Sequence, residues 1–310
     1  MADSFAVLII VSTIASGIRL ATPFLLASLG ETLGQRSGVL NLGVDGVMLL
    51  GAFGAYYTVL QTNNLYYGLL VGIAIGLILG LFYGFITLNL QAEQGVSGIG
   101  IYLFGLGMSD LLFQKFVGTP RPILPFMPLH FPVLSDLPIV GEMLFQHSII
   151  VYIAFGLVPV MSFVLNKTTY GLNVRAIGEN PEAADSLGVS VMATRYSAII
   201  IGNGLAGLAG AALAIELGIF QQNLTNAMGF IAIALVYFGA WTPTGVMLGS
   251  FLFGLVQAIV LQCKTFGVIP RSASDLAAMA PAVITILALV IVAKRFKQPA
   301  ALTKPYVRGG

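Results

Sequence analysis

The 310-residue sequence is 57% hydrophobic and 8% charged, with a mean hydropathy of +0.95, and this composition excludes a soluble globular protein. Its net charge of +2 is too small to predict a nucleic-acid partner, and its single cysteine, Cys263, excludes an intrachain disulfide and cannot form a zinc site alone. Apolar runs of about 20 residues, enough to cross a bilayer as helices, recur along the chain and predict an all-α polytopic transmembrane bundle embedded in lipid.

The hydrophobic segments predict about nine spans in a single domain covering residues 1–310. The second segment is interrupted by polar residues and glycines (Asn41, Gly43, Asp45 and Gly46), and the seventh is short for a full span. We therefore expect one or two broken or re-entrant helices, which a bilayer tolerates only against protein or a water-filled cavity. The nine segments lie near 5–28, 39–60, 67–90, 96–114, 147–166, 194–217, 227–240, 244–263 and 275–293.

Small residues form stripes along two of the predicted spans. Glycines recur every fourth position in the third span, and three more glycines with intervening alanines lie in the sixth. Residues four apart share a helix face, and small residues on such a face let helices approach closely in lipid. We expect tight helix packing there, while gating by sliding helices stays open. The glycines are Gly68, Gly72, Gly76, Gly80 and Gly84, then Gly204, Gly207 and Gly210.

Basic residues near the span ends predict the orientation in the membrane. Five of them follow the last span without an acidic residue, which predicts a cytoplasmic C-terminus: Lys294, Arg295, Lys297, Lys304 and Arg308. Counting back through nine spans predicts that residues 167–193 and 29–38 are cytoplasmic and that the N-terminus and residues 115–146 are outside. Lys264 and Arg271 then lie outside, against the rule, and a re-entrant seventh segment would move the N-terminus to the other side.

The predicted outer loop, residues 115–146, holds six of the fourteen prolines: Pro120, Pro122, Pro125, Pro128, Pro132 and Pro138. Proline fixes φ and removes a hydrogen-bond donor, so this loop is expected to be stiff and not a regular helix throughout. Two interpretations remain open, a rigid connector and a docking surface or lid over the outer mouth.

A second polar segment, residues 167–193, carries the local chemistry of a short helix. Asn180 is a good N-cap and Pro181 suits the first helical position. Leu187 ends the run, and Gly188 can adopt the left-handed C-cap. We predict a helix over residues 181–187, stabilised by packing because it is too short to be stable alone. A solvated loop with an incidental turn is the alternative.

Polar residues inside spans are expensive and usually face the bundle interior. They predict either a polar lining of a passage or hydrogen bonds between helices, and both interpretations stay open for each residue. The predicted pathway residues are Asn41, Asp45, Asn89, Asn203 and Gln257, with Asp110 and Glu216 as further candidates. No metal cluster and no catalytic pair is evident in the spans.

Two stretches carry a family resemblance. YGLNVRAIGENPEAADSLGV (residues 170–189) resembles the cytoplasmic coupling loop of ABC importer permeases of the branched-chain amino acid, ribose and nucleoside type. SGVLNLGVDGVMLLGAF (residues 37–53) resembles the signature of that family at the second span, where Asp45 takes a position that is often Glu. The likeness runs from Ile18 to about Lys294 and is greatest to permeases for nucleosides and simple sugars.

The resemblance implies a non-enzymatic permease subunit in a bacterial or archaeal cytoplasmic membrane. Its implied partners are ABC ATPase subunits, a second and non-identical permease chain, and a periplasmic or lipid-anchored binding protein. The chain binds no cofactor in this scheme, and ATP is bound by the ATPase, in agreement with the lack of a GxxxxGK[ST] loop in the sequence.

The resemblance also assigns the short helix as the element gripped by the ATPase. Glu179, Asn180, Glu182 and Asp185 are then expected to form the contact edge. Ala183 and Ala184 are expected to pack in a cleft of the ATPase, and Arg175 with Glu179 to fix the loop. The full predicted coupling set is Arg175, Glu179, Asn180, Pro181, Glu182, Ala183, Ala184, Asp185, Leu187 and Gly188.

Two other classes of protein remain as alternatives. A secondary carrier with its own ion coupling could use Asp45, Asp110 and Glu216, but the polar segment would then have no purpose. A structural or channel-like membrane protein is the second alternative. The sequence alone does not name the substrate.

Overall fold

The computed structural model describes residues 2–270, 273, 276, 277, 279–292 and 297–306, and every regular element in those ranges is a helix. In chain order the helices are α1 (Ala2–Arg36), α2 (Val44–Thr62), α3 (Leu65–Gly84, continued by a π-helical turn, Phe85–Asn89), α4 (Gln94–Phe116), α5 (Val140–Leu144), α6 (Ile149–Lys167), α7 (Thr169–Glu179), α8 (Pro181–Ser186), α9 (Val191–Leu217), α10 (Met228–Phe238), α11 (Pro243–Thr265) and α12 (Ala280–Val292).

Each of the nine predicted segments overlaps one of these helices, but the number of spans is not confirmed. Six helices in the described part of the chain are long and apolar enough to cross a membrane. The helices of the second, seventh and ninth segments, α2, α10 and α12, are not among them, and α10 has only 11 residues. The six are Val7–Arg36, Leu65–Asn89, Gln94–Phe116, Ile149–Lys167, Val191–Leu217 and Pro243–Thr265.

The predicted glycine stripes meet each other, and tight packing is confirmed. A Cβ added to Gly76 would lie 2.2 Å from the carbonyl oxygen of Asn203, and one added to Gly207 would lie 2.2 Å from that of Gly72. These distances mean that the backbones of α3 and α9 are in direct contact, with no room for a methyl group. Close approach of this kind is how helices associate in lipid, where the hydrophobic effect does not drive them together.

Helix α1 packs against another side of α9 through close glycine-to-backbone contacts of the same kind, and it also packs along α11. A Cβ on Gly30 would lie 2.3 Å from the carbonyl oxygen of Gly202, and one on Gly254 would lie 2.5 Å from that of Gly17. Helix α9 is therefore the centre of the bundle, because α1, α2 and α3 all pack directly against it.

The second and seventh predicted segments, which were expected to be broken or re-entrant, each adjoin a non-helical stretch. Residues 37–43 are not helical, and α2 runs unbroken from Val44, so the polar interruption lies before the helix and does not break it; Asp45 and Gly46 belong to the first turn of α2. Residues 218–227, between α9 and α10, are also non-helical, although Phe220 and Thr225 within them are buried. Residues 37–43 are covered by protein, as the cost of unpaired backbone in a bilayer requires, whereas residues 221–223, 226 and 227 of the second segment are exposed.

The proline-rich loop is irregular over residues 117–139 and is tied to the ends of the helices. The Ile123 amide donates to the Gly218 carbonyl at 2.7 Å, and the Tyr56 hydroxyl donates to the Arg121 carbonyl at 2.8 Å. Two apolar side chains nevertheless point away from the protein, since Leu124 is 80% exposed and Met127 is 83% exposed. The loop is therefore anchored at its base and offers an apolar surface at its tip.

The charge pattern used to predict the orientation lies partly outside the described residues. That is the case for Lys294, Arg295, Arg308 and Arg271, and the orientation stays a prediction. Lys297 and Lys304 belong to a described C-terminal segment, residues 297–306, which packs against α7, α9 and α10.

Candidate functional site

The polar segment between α6 and α9 folds as two consecutive helices, α7 and α8. Helix α7 was not predicted, although its signals are present in the sequence. The Thr168 hydroxyl caps it by accepting the Gly171 amide at 3.2 Å, and Val174 and Ile177 lie on one buried face. A threonine before an apolar period of three to four residues is typical of a helix start.

Helix α8 follows from the local chemistry that predicted it. The Asn180 side-chain oxygen accepts the Ala183 amide at 3.0 Å, and Pro181 occupies the first helical position. The helix ends at Ser186, one residue before the predicted end. Gly188 has a φ of +84°, and its amide donates to the Asp185 carbonyl at 2.9 Å, so it is the expected left-handed C-cap.

The predicted coupling residues divide into an exposed set and a buried one. Ala184 is only 3% exposed and packs on Ile177 and Val191 of the same chain. The expectation that Ala184 enters a cleft of a partner therefore does not fit, because its side chain points inward and holds α8 against α7 and α9. Pro181 and Asp185 are half-buried, and the exposed set is Glu179, Asn180, Glu182, Ala183, Leu187 and Gly188.

Leu187 is the largest apolar contribution to this exposed face. It is 84% exposed, next to the polar edge formed by Glu182 and Asn180. The sequence placed Leu187 in the predicted coupling set and at the end of the helix, but not on its contact edge. Arg175 is half-buried, and its Nε donates to the Gly171 carbonyl at 3.4 Å within α7.

Helix α7 is joined to the membrane-spanning bundle by a side-chain contact. The hydroxyls of Tyr170 and Ser197 lie 3.0 Å apart and connect α7 to α9. Burial raises the pKa of the Tyr170 phenol above its ordinary value, and the hydrogen bond with Ser197 opposes the rise. The phenol therefore stays neutral, and the two hydroxyls share one hydrogen bond.

Two of the predicted pathway residues, Asn41 and Asn203, form a buried contact between the irregular segment before α2 and helix α9. The Asn41 amide nitrogen donates to the Asn203 side-chain oxygen at 2.9 Å, and Asn203 in turn donates to the Ile199 carbonyl at 2.9 Å. Asn41 also accepts the Gly43 amide at 2.8 Å. These bonds hold the irregular segment before α2 against the middle of α9.

Asp45 connects the second irregular segment to α2. Its side-chain oxygens accept the Gly229 amide at 2.7 Å and the Thr225 hydroxyl at 3.0 Å. Gly229 lies in the first turn of α10, so Asp45 caps that helix from a neighbouring one. Free amides at a helix start need an acceptor, and the acidic side chain supplies it where water is absent.

We expect Asp45→Leu to destabilise the start of α10, because the Gly229 amide and Thr225 hydroxyl would lose their acceptor inside the protein. Leaving buried donors unsatisfied costs about 1–3 kcal/mol. Thermal unfolding of the purified protein in detergent should occur at a lower temperature. Asp45→Asn keeps one acceptor oxygen and should lose less; equal loss in both variants would contradict the capping role.

A cavity with a volume of about 450 Å³ lies beside α1, α9, α10 and α11. It runs from Glu216 and Lys264, near the ends of α9 and α11, to Thr225 and Met228 at the start of α10. Of the five predicted pathway residues, only Gln257 lines it. Asn89 instead lines a groove of about 420 Å³ beside α8 and bonds the Tyr196 hydroxyl.

The cavity combines an apolar wall with a few polar groups. Phe24 and Phe253 contact each other on the wall, with ring centroids 4.6 Å apart. The Ser148 hydroxyl donates to Glu216 at 3.3 Å, whereas the buried Gln257 side-chain oxygen has no hydrogen-bond partner among the described residues. An apolar pocket with few convergent polar groups is the usual form of a small-molecule site.

Sequence reasoning missed Phe24, Phe253 and Ser148, because nothing in an apolar run marks which aromatic side chains border a cavity. Among the described residues, no group of three or more histidine, cysteine, aspartate or glutamate side chains is arranged to hold a metal ion.

Comparison with known proteins identifies the family. The profile described as branched-chain amino acid transport system, permease component, matches residues 13–292. A Haloferax volcanii protein provisionally named a glucose ABC transporter permease protein is 38% identical over 253 residues, which cover 80% of this chain and 76% of the relative. No solved structure matches this chain.

Two further relatives are similar over nearly their whole length. The guanosine ABC transporter permease protein NupQ of Bacillus subtilis is 30% identical over 93% of this chain and 94% of the relative. The nucleoside ABC transporter permease protein NupC of Lactococcus lactis is 31% identical over 95% and 96%. The same bacteria also hold more distant permease relatives, NupP at 26% and NupB at 23% identity. This chain belongs to the family of permease components of branched-chain amino acid transport systems.

Proposed function

We propose that this chain is a membrane-spanning subunit of an ATP-driven importer and that α8 is its contact with an ATPase. The observation that carries the proposal is the exposed face of α8, where Glu182, Ala183 and Leu187 project from a helix capped at both ends. Ala184 anchors that helix on the inside, so a force applied to α8 would reach α7 and α9. A rigid contact of this kind is what the transmission of ATPase movement requires.

The proposed partners follow from the relatives. Permeases from two bacteria, NupQ with NupP and NupC with NupB, support a second, non-identical permease chain beside this one. ABC membership supports separate ATPase subunits, which bind the ATP. A periplasmic or lipid-anchored binding protein would deliver the substrate at the proline-rich loop, where Leu124 and Met127 offer an apolar surface.

We propose the membrane topology that the charge pattern predicts. The chain forms one transmembrane domain over residues 1–310, with about nine spans, in the cytoplasmic membrane of a bacterium or archaeon. The coupling loop, residues 167–193, and the C-terminus face the cytoplasm, and the loop at about 115–146 faces outward.

The cavity at Gln257 is our proposed part of the translocation pathway, and nucleosides are the proposed substrates, with simple sugars second. A neutral heteroaromatic base suits the wall formed by Phe24 and Phe253, and a side-chain amide can both donate to and accept from the edge of such a base. Glu216 with Ser148 would accept from sugar hydroxyls. Asn41, Asp45, Asn89 and Asn203 would act at a distance from the substrate, by holding the helices around it.

The test is ATP-dependent uptake of labelled guanosine into proteoliposomes that hold this chain with its co-purifying partners. Gln257→Leu removes the unpaired amide oxygen, so half-maximal uptake should need roughly threefold to tenfold more guanosine, the equivalent of one hydrogen bond. Gln262→Leu, on the same helix but outside the cavity lining, is the matched control and should leave uptake unchanged.

Two results would count against the proposal. Uptake that continues without ATP would return the secondary carrier as the better hypothesis. Labelled glucose that is taken up in preference to guanosine would leave the importer standing and overturn the proposed substrate class.

A further inference from the structure

The C-terminal segment, residues 297–306, is fastened to the rest of the chain by backbone hydrogen bonds at two separate places. The Ala301 amide donates to the Gly178 carbonyl at the end of α7, at 2.8 Å. The Thr303 amide donates to the Gly38 carbonyl, in the irregular segment after α1, at 3.1 Å. Ala301 and Leu302 are only 3% and 5% exposed, so the middle of the segment is packed into the protein, while residues 297, 298, 300 and 303–305 are exposed.

A buried arginine reinforces this attachment. Arg195, in α9, is 1% exposed, and its Nε donates to the Ser37 carbonyl at 3.1 Å. Its Nη1 donates to the Lys304 carbonyl at 3.2 Å. Burying a guanidinium is costly unless its donors find acceptors, so the position of the segment is part of what makes Arg195 tolerable there.

The segment touches α10 with one side chain and α8 with another, four positions later. Leu302 packs against Val236 and Trp241, at the end of α10. Tyr306 packs against the cluster that contains Ile177 of α7 and Ala184 of α8. The coupling helix and the end of α10 are therefore connected through residues 302–306, in which Leu302 is buried, Tyr306 is half-buried and residues 303–305 are exposed.

Helix α10 leads from this connection to the cavity. Its last turn carries Val236, whereas Met228 and Ile231 near its first turn line the cavity wall. The helix is short and capped by Asp45, so a displacement at its last turn would be carried along its axis to the cavity. The contacts form a continuous route from α8 to the cavity that passes outside α9.

We propose that residues 297–306 act as a strap that transmits the movement of α8 to α10 and so opens or closes the cavity around the substrate. The proposal rests on the proposed function, since it assumes that the ATPase moves α8. Leu302, which contacts the end of α10, and Tyr306, which contacts the α7–α8 cluster, are the positioning residues of the strap, and Thr303 lies between them.

Two substitutions of Thr303 form a matched pair. One should detach the strap at this position, and the other should leave it in place. Its φ is +66°, in the left-handed region, and its amide is the donor to Gly38. Thr303→Pro removes the donor and fixes φ near −65°, so the strap must leave its path. Thr303→Gly keeps the donor and accepts the left-handed backbone, and the Thr303 side chain is exposed, so this variant should behave as the wild type.

Each variant is purified with its partner ATPase and reconstituted with the second permease and the binding protein. Three quantities are measured: the ATPase recovered per permease, the rate of ATP hydrolysis, and the guanosine taken up per ATP hydrolysed. For Thr303→Pro we expect normal ATPase recovery and continued hydrolysis, with uptake per ATP reduced about fivefold or more, the lower range of a coupling effect between two sites. Thr303→Gly should retain the wild-type ratio.

An unchanged uptake per ATP in Thr303→Pro would overturn the strap. Loss of the ATPase from that variant would overturn it also, because the segment would then be holding the fold and not transmitting movement. A wild-type complex that recovers no ATPase contradicts the proposed function instead, and that failure is visible before any variant is made.

Discussion

Leu187→Asp is expected to reduce the ATPase recovered with the purified permease more than about tenfold, the loss that follows removal of an interface anchor. Leu187 is 84% exposed at the end of α8 and touches little of its own chain, so the substitution should not disturb folding. An apolar side chain at the centre of an interface contributes by being buried on association. An aspartate would instead have to bury a charge beside the acidic Glu182.

The readout is the ratio of ATPase to permease after affinity purification in mild detergent, with uptake in proteoliposomes as a second measure. Met127→Asp is the control, because Met127 is 83% exposed in the proline-rich loop and an equal change there should leave ATPase recovery as it was. Normal ATPase recovery and normal uptake with Leu187→Asp would refute the assignment of α8 as the coupling helix.

Local chemistry explains why α8 could be predicted from the sequence within one residue. The Asn180 cap, Pro181 and the left-handed Gly188 each act on backbone groups no more than three positions away. The same is true of the glycine stripe in α3, where the spacing alone predicts a face of small residues. Features of this kind depend on residues that are close in sequence and not on how the rest of the chain folds.

The partners of the polar residues could not be predicted, since they are distant in sequence. Asn41 bonds Asn203 across 162 positions, and Asp45 bonds Gly229 across 184 positions. The sequence identifies such side chains as unusual inside a span but does not say whether they face each other or a passage. In the structure, Asn41 bonds Asn203 and Asp45 bonds Thr225 and Gly229. Of the polar candidates, only Gln257 and Glu216 line the cavity.

The inward orientation of Ala184 shows the same limit at shorter range. A six-residue helix exposes some positions and buries others, and small alanines suit both an internal contact and a partner's cleft. Which of them is internal depends on where α7 and α9 lie. The C-terminal segment was considered in the sequence only as a source of positive charge, because its contacts with Gly38 and Gly178 involve backbone atoms that leave no compositional signal.

Gly76→Ala is expected to lower the stability of the whole bundle by about 1–3 kcal/mol or more, the cost of overpacking a close contact. The added methyl would lie 2.2 Å from the Asn203 carbonyl oxygen and 3.0 Å from the Gly204 Cα, both backbone atoms of α9. Neither can turn aside as a side chain could, so α3 and α9 must separate. Separation would also strain the bond from Asn41 to Asn203, which fixes the irregular segment before α2.

Thermal unfolding followed by size-exclusion chromatography in detergent measures this loss, and Gly107→Ala is the matched control because a methyl at Gly107 in α4 meets nothing within 4 Å. We expect only the Gly76 variant to unfold at a lower temperature. The same pair of variants separates the two roles considered for the stripe. A Gly76→Ala protein that is as stable as the control but takes up no guanosine would indicate that α3 and α9 slide during transport. A protein that is unstable would indicate that the stripe serves to pack them.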